Sequence, residues 1–156
     1  MFATVARRAS RRAFLAAGWA AVLLATACSD TLGPTDRLVD ARQRWRRTRP
    51  ESYRYQLVVG CFCGLPPQPV TIEVRGDAVL SAVDAQGAPV HAPIASAYGT
   101  IDDLFDAIAR AISANAVQVD VSYEPTRGYP TSIAIDGSTR IADDEIGYTV
   151  SGFVAH

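Results

Sequence analysis

The chain has 156 residues, with 15 basic residues, all arginine, against 16 acids. That length suits one domain, and 49% hydrophobic with 20% charged residues excludes a disordered chain and a coiled coil. A pI near 6.1 argues against a general nucleic-acid binder, and three cysteines cannot build a disulfide-rich scaffold.

The N-terminus reads as an export address. Arg7, Arg8, Arg11 and Arg12 precede an apolar run from Ala13 to Ala27. Spanning a bilayer takes about 20 apolar residues, so the run is short for a permanent anchor and suits a signal peptide. Ser10-Arg11-Arg12-Ala13-Phe14-Leu15 resembles the twin-arginine export consensus, with Arg11, Arg12, Phe14 and Leu15 at the matching positions. Leu24-Ala25-Thr26-Ala27-Cys28 resembles the lipobox of bacterial lipoproteins, although Ala25 stands where Leu is usual. Residues 1–27 are therefore expected to be a removed twin-arginine signal. Residues 28–34 form a tether lipidated at Cys28, and 35–156 a single domain. The plainer alternatives are an ordinary secretory signal or an uncleaved helix. A free thiol in an exported chain is a liability, which favours acylation. Ser29 after the cysteine favours an outer membrane where the source has one.

The mature chain keeps eleven arginines against 16 acids, a formal charge of −5. The charge is unevenly spread. Residues 28–60 carry seven arginines and four acids, and residues 61–156 carry four arginines and twelve acids.

Thr35 or Asp36 is expected to cap a first helix, with Leu38, Ala41 and Trp45 on its narrow apolar stripe and Pro50 ending it. From Tyr53 the period changes to two. Tyr53, Tyr55, Leu57, Val59, Cys61 and Cys63 share one parity, which predicts a strand. Gly64-Leu65-Pro66-Pro67 breaks it. Val70, Ile72 and Val74 predict a second strand, and Gly76-Asp77 turns it into a third over 78–83. Residues 84–99 read as loop. Thr100 with Asp103 predicts a variant capping box. Ile101, Leu104, Phe105, Ile108, Ala111 and Ile112 form the apolar face of a helix over 101–114. Val117 to Tyr123, then Ile133 with Ile135, predict a hairpin. Tyr148, Val150 and Phe153 predict a last strand. Helix, three strands, helix, three strands with short turns gives an α+β fold. One antiparallel sheet of about five to six strands is expected, packed by one main helix, plus an N-terminal helix.

Several landmarks taken in order resemble a family of bacterial lipoproteins catalogued as domain of unknown function 6174. They are Trp45 with Pro50, Tyr53-Arg54-Tyr55, Cys61-Phe62-Cys63, Ile101-Asp102-Asp103-Leu104-Phe105, Tyr123, Gly128-Tyr129-Pro130-Thr131, Asp143-Asp144-Glu145 and Tyr148. The resemblance implies an exported or lipid-anchored α+β domain. It implies no reaction, cofactor or catalytic residue.

Cys61-Phe62-Cys63 is the most chemical feature. Two residues apart in an ideal strand, the Cα atoms are roughly 6.6 Å apart, so a disulfide needs a kink there. Structural disulfide, redox pair and soft-metal thiolate site all stay open, although the mature chain offers only His91 and His156 as partner histidines. Asp136 with Asp143-Asp144-Glu145 forms an acidic turn region, better read as solvated loop than as a calcium site. Arg75-Gly76-Asp77 reads as turn chemistry. The arginines of 37–49 offer a face for anionic lipid, against the plainer reading of a solvated helix. Tyr53, Tyr55, Tyr123, Tyr129 and Tyr148 offer a sugar- or peptide-binding groove, against the plainer reading of core packing.

No catalytic constellation is complete, because His91 has no nucleophile elbow to serve. The expectation is a non-enzymatic, lipid-anchored envelope domain without cofactor or metal. It meets the membrane through its lipid and an unidentified envelope partner or small ligand, and no nucleic acid. The alternative is a thiol redox or metal-handling protein using Cys61 and Cys63.

Overall fold

Residues 32–65, 67–140 and 144–156 are described by a computed structural model. Arg11, Arg12, Phe14, Leu15, Cys28 and Asp143 lie outside the described residues. Helix α1 spans Pro34–Thr48. It begins ahead of both expected caps, with Gly33 as N-cap and no side-chain cap. Proline at the first helical position needs no partner for an N–H, and its φ is already helical. Asp36 in the first turn adds a carboxylate where the helix dipole favours one. Arg49 is extended, as the residue before Pro50 must be, and its N–H donates to Trp45 O at 2.7 Å.

Strand β1 (Ser52–Cys61), β2 (Val70–Arg75) and β3 (Ala78–Val83) form one antiparallel meander. The segment expected as loop contains a short helix α2 (Ala92–Ala95) and Tyr98, which is buried. Helix α3 spans Ile101–Ser113. Its capping box is complete: Asp103 N–H donates to Thr100 Oγ1 at 3.2 Å, and Thr100 N–H donates to Asp103 Oδ2 at 2.7 Å. Strands β4 (Gln118–Tyr123), β5 (Pro130–Asp136) and β6 (Ile146–Ala155) form a second meander.

The two meanders join through β1 and β6, giving one six-stranded antiparallel sheet in the order β3-β2-β1-β6-β5-β4. The fold is α+β, as expected. Each half is a helix followed by three strands, and both long helices cover the same face. Their buried stripes (Leu38, Ala41 and Trp45; Ile101, Leu104, Phe105 and Ile108) pack with Tyr53, Tyr55, Leu57, Val59, Val70, Ile72, Val74, Ile133 and Val150. The opposite face carries Arg54, Gln56, Ser132, Thr149 and Ser151 and is open to solvent. One covered and one solvated face account for the clean alternation of β1 and β2. Among the described residues no helix is long and apolar enough to cross a membrane.

Candidate functional site

Tyr53 and Tyr55 are buried in the core, and Tyr123, Tyr129 and Tyr148 are half-buried against it. Trp45 makes edge contacts with Tyr53, Tyr129 and Phe153, with ring centroids 5.4, 6.1 and 5.9 Å apart. Tyr129 stacks on Phe153 at 4.7 Å, and Phe105 on Tyr123 at 6.2 Å. The hydroxyl of Tyr53 accepts from Ile101 N–H at 3.3 Å, and that of Tyr55 donates to Gly99 O. Burial pushes the Tyr53 and Tyr123 hydroxyls up to about 12 and that of Tyr55 well above its ordinary value. The packing reading holds for Tyr53 and Tyr55, whose parity on β1 is the buried one, while Tyr123, Tyr129 and Tyr148 pack half-buried against the core.

The arginine face of α1 is partly neutralised. Arg42 pairs with Asp106 at 2.5 Å, Arg44 with Asp40, and Arg49 with both Asp77 (2.8 Å) and Asp102 (2.9 Å). Hydrogen bonds to Asp77 and then Asp102 raise the pKa of Arg49. Arg37, Arg46 and Arg47 remain exposed. Asp77 belongs to the Arg75-Gly76-Asp77 turn between β2 and β3, so the tripeptide serves a hairpin and an ion pair.

Cys61 and Cys63 are joined by a disulfide, with Cα atoms 5.2 Å apart. The separation is shorter than in an ideal strand because β1 ends at Cys61 and the chain bends beyond it. The expected continuation of the apolar face through both cysteines is therefore corrected. Cys61 is half-buried at the strand end, and Cys63 is exposed outside the strand. Between them, Phe62 is 78% exposed. Among the described residues, no three His, Cys, Asp or Glu side chains converge on one point where a metal could sit.

Next to this bend, at one end of the open face, lies a cleft of about 410 Å³. That size falls within the usual range of small-ligand sites, roughly 300–1,000 Å³. Its floor crosses three adjoining strands: Gly60 is opposite Gly147, and Gly147 is opposite Ala134. Phe62 walls the β1 side. Asp136 at the end of β5, and Glu145 just before β6, bring two carboxylates to the other side, with Gln118 of β4 beyond. The acidic turn region of the sequence thus divides: Asp136 and Glu145 meet at the cleft, although 9 positions apart, because β5 and β6 are neighbours. Asp136 Oδ1 accepts from Ser138 N–H at 3.0 Å, which fixes the turn leaving β5. His91 lines a separate hollow of about 220 Å³ with Asp84, Pro89 and Ile94, far along the chain from the carboxylates. His156 is exposed, and its N–H donates to Ser52 O at 2.9 Å.

The floor is what sequence reading misses. Gly60 holds regular strand register, so the bend that the disulfide needs lies beyond it. The available signal is a glycine inside a strand pattern, which often marks close approach of another group.

The arrangement defines a two-layer α+β domain with helices on one face and a cleft on the open one. Residues 37–155 match the Family of unknown function (DUF6174), and the chain belongs to that family. No curated protein and no solved structure matches the chain.

Proposed function

We propose that this protein is an exported, lipid-anchored envelope protein whose domain binds a small ligand and catalyses no reaction. The observation that carries the binding reading is the cleft on the open sheet face, floored by Gly60, Gly147 and Ala134. The anchoring reading is supported by Arg11-Arg12 with Phe14-Leu15 and by Cys28 after a short apolar run. One acyl chain holds a protein marginally, and two or more hold it firmly at about 0.8 kcal/mol per buried CH₂. The few residues between Cys28 and Pro34 then keep α1 near the bilayer, where the exposed Arg37, Arg46 and Arg47 face anionic headgroups. Ser29 favours the outer membrane in a source that has one.

Mass spectrometry of the membrane fraction tests the anchor. An acylated Cys28 at the mature N-terminus is expected, and an unmodified or uncleaved N-terminus overturns the anchoring. Exchange of Arg11 and Arg12 for lysine is expected to leave precursor unprocessed. Normal processing of that variant overturns the twin-arginine route.

A second reading, thiol exchange, is favoured by one observation: Cys61 lines the cleft while Cys63 is exposed. A partner dithiol would become a disulfide as Cys61 and Cys63 take up its two electrons and two protons. Thiol trapping across a redox titration tests it. A pair that stays oxidised throughout overturns it.

A further inference from the structure

Glycine inside a strand costs roughly 0.5–1 kcal/mol relative to alanine, so two facing each other call for a reason. The fold supplies none. A Cβ built on Gly60 meets nothing within 4 Å, and one on Gly147 meets only carbonyl oxygens, at 3.6 and 4.0 Å. Neither is among the glycines with positive φ. Side chains would fit at both positions and would fill the cleft. The bare backbone therefore serves something that comes to lie against it.

The walls say what that is. Two carboxylates, Asp136 and Glu145, line the cleft, and among the described residues no basic one does. Among the described residues, every ion pair is made by an arginine of α1 or by Arg49 just beyond it, and neither of these carboxylates is in one. Two like charges in one concave site focus a field that favours a cation. Phe62 presents an aromatic ring to the same space, and such a ring attracts both apolar bodies and cations. From β1 to β5 the floor spans two strand spacings, about 10 Å.

Resting on the reading of the cleft as a binding site, we infer that its ligand is a small organic cation with a flat apolar body. The body lies on Gly60, Gly147 and Ala134 against Phe62. The ammonium group lies between Glu145 and Asp136.

The test titrates the folded domain with tryptamine, and with N-acetyltryptamine as a neutral counterpart, following backbone amide shifts by NMR. Tryptamine is expected to shift Gly60 and Gly147, with affinity at least tenfold above that of the neutral compound. Glu145→Gln and Asp136→Asn are each expected to weaken it about tenfold, as loss of a charge-assisted contact does. Phe62→Ala is expected to weaken both compounds. Gly60→Val is expected to abolish binding while raising Tm, because the side chain has room and valine suits a strand. Equal binding of both compounds at these amides overturns the cation assignment and leaves the cleft as a binding site. No shift from either compound overturns the cation and withdraws support from the binding reading as well. A lowered Tm in Gly60→Val, whatever it binds, shows that the fold itself needs the glycine and overturns the premise.

Discussion

The indole Nε1 of Trp45 donates to Asp102 Oδ2 at 3.1 Å, tying helix α1 to the first turn of α3. Arg49 donates to the same oxygen at 2.9 Å. Trp45 is fully buried, so its N–H has no water to turn to. Asp102→Ala leaves that donor unpaired and frees Arg49 from one partner. The expected loss is about 1–3 kcal/mol, read by urea denaturation. Asp102→Asn keeps an acceptor oxygen and is expected to lose less. Equal losses in both variants would mean that the indole bond contributes nothing.

Gly128 closes the turn between β4 and β5 against α1. Its φ is +84°, and a Cβ there would lie 2.4 Å from Ala41 O and 2.9 Å from Arg44 Cβ. Helix backbone cannot give way as a flexible side chain can. Gly128→Ala is expected to cost more than about 2 kcal/mol, combining a left-handed backbone with a clash. Thermal unfolding checks it, and an unchanged Tm sinks the argument.

The Cys61–Cys63 disulfide closes a very short loop. Chain-entropy arguments give such a loop only about 1.5–2 kcal/mol. Neither sulfur sits in the fully buried core. Reduction, or Cys61→Ser with Cys63→Ser, is therefore expected to leave the domain folded with a modestly lower denaturation midpoint. The same change is expected to disturb Phe62 and the cleft wall. Global unfolding on reduction would place the bond at the centre of stability instead.

Alkaline pH should unfold the domain. Burial raises Tyr53 and Tyr123 to about 12, against an ordinary value near 10 in the unfolded chain. Below pH 10 the neutral hydroxyls are kept in both states and the native state is at full strength. Between about 10 and 12 the unfolded chain releases these protons and the folded one does not, so stability falls as pH rises. Denaturant midpoints measured across that window should decline, with tyrosinate absorbance appearing together with unfolding. A midpoint flat through pH 12 would contradict the burial.

Much of this architecture is legible in the chain itself, and the reason is local. Thr100 and Asp103 announce the α3 cap because a capping box needs only four residues. Tyr53, Tyr55, Leu57 and Val59 announce β1 because strand parity repeats every second position. The elements that escape are those whose cause is remote. Tyr98 lies in a loop-like stretch yet is buried. Gly33 stands at the N-cap because the helix starts at Pro34, whose fixed φ suits the first helical position.

The sequence by itself determines the two long helices, most of the strands and the apolar side of those with clear alternation, because periodicity is written into single segments. It determines the family landmarks and the basic-to-acidic polarity along the chain as well. Only the tertiary structure decides that β1 pairs with β6, a contact between the first and last strands that no local pattern encodes. That pairing sets Gly60 against Gly147 and, with the β5–β6 pairing, brings Phe62 of one half to face Asp136 and Glu145 of the other. The cleft exists because long-range strand order, rather than any motif, gathers those residues on the face the helices leave open.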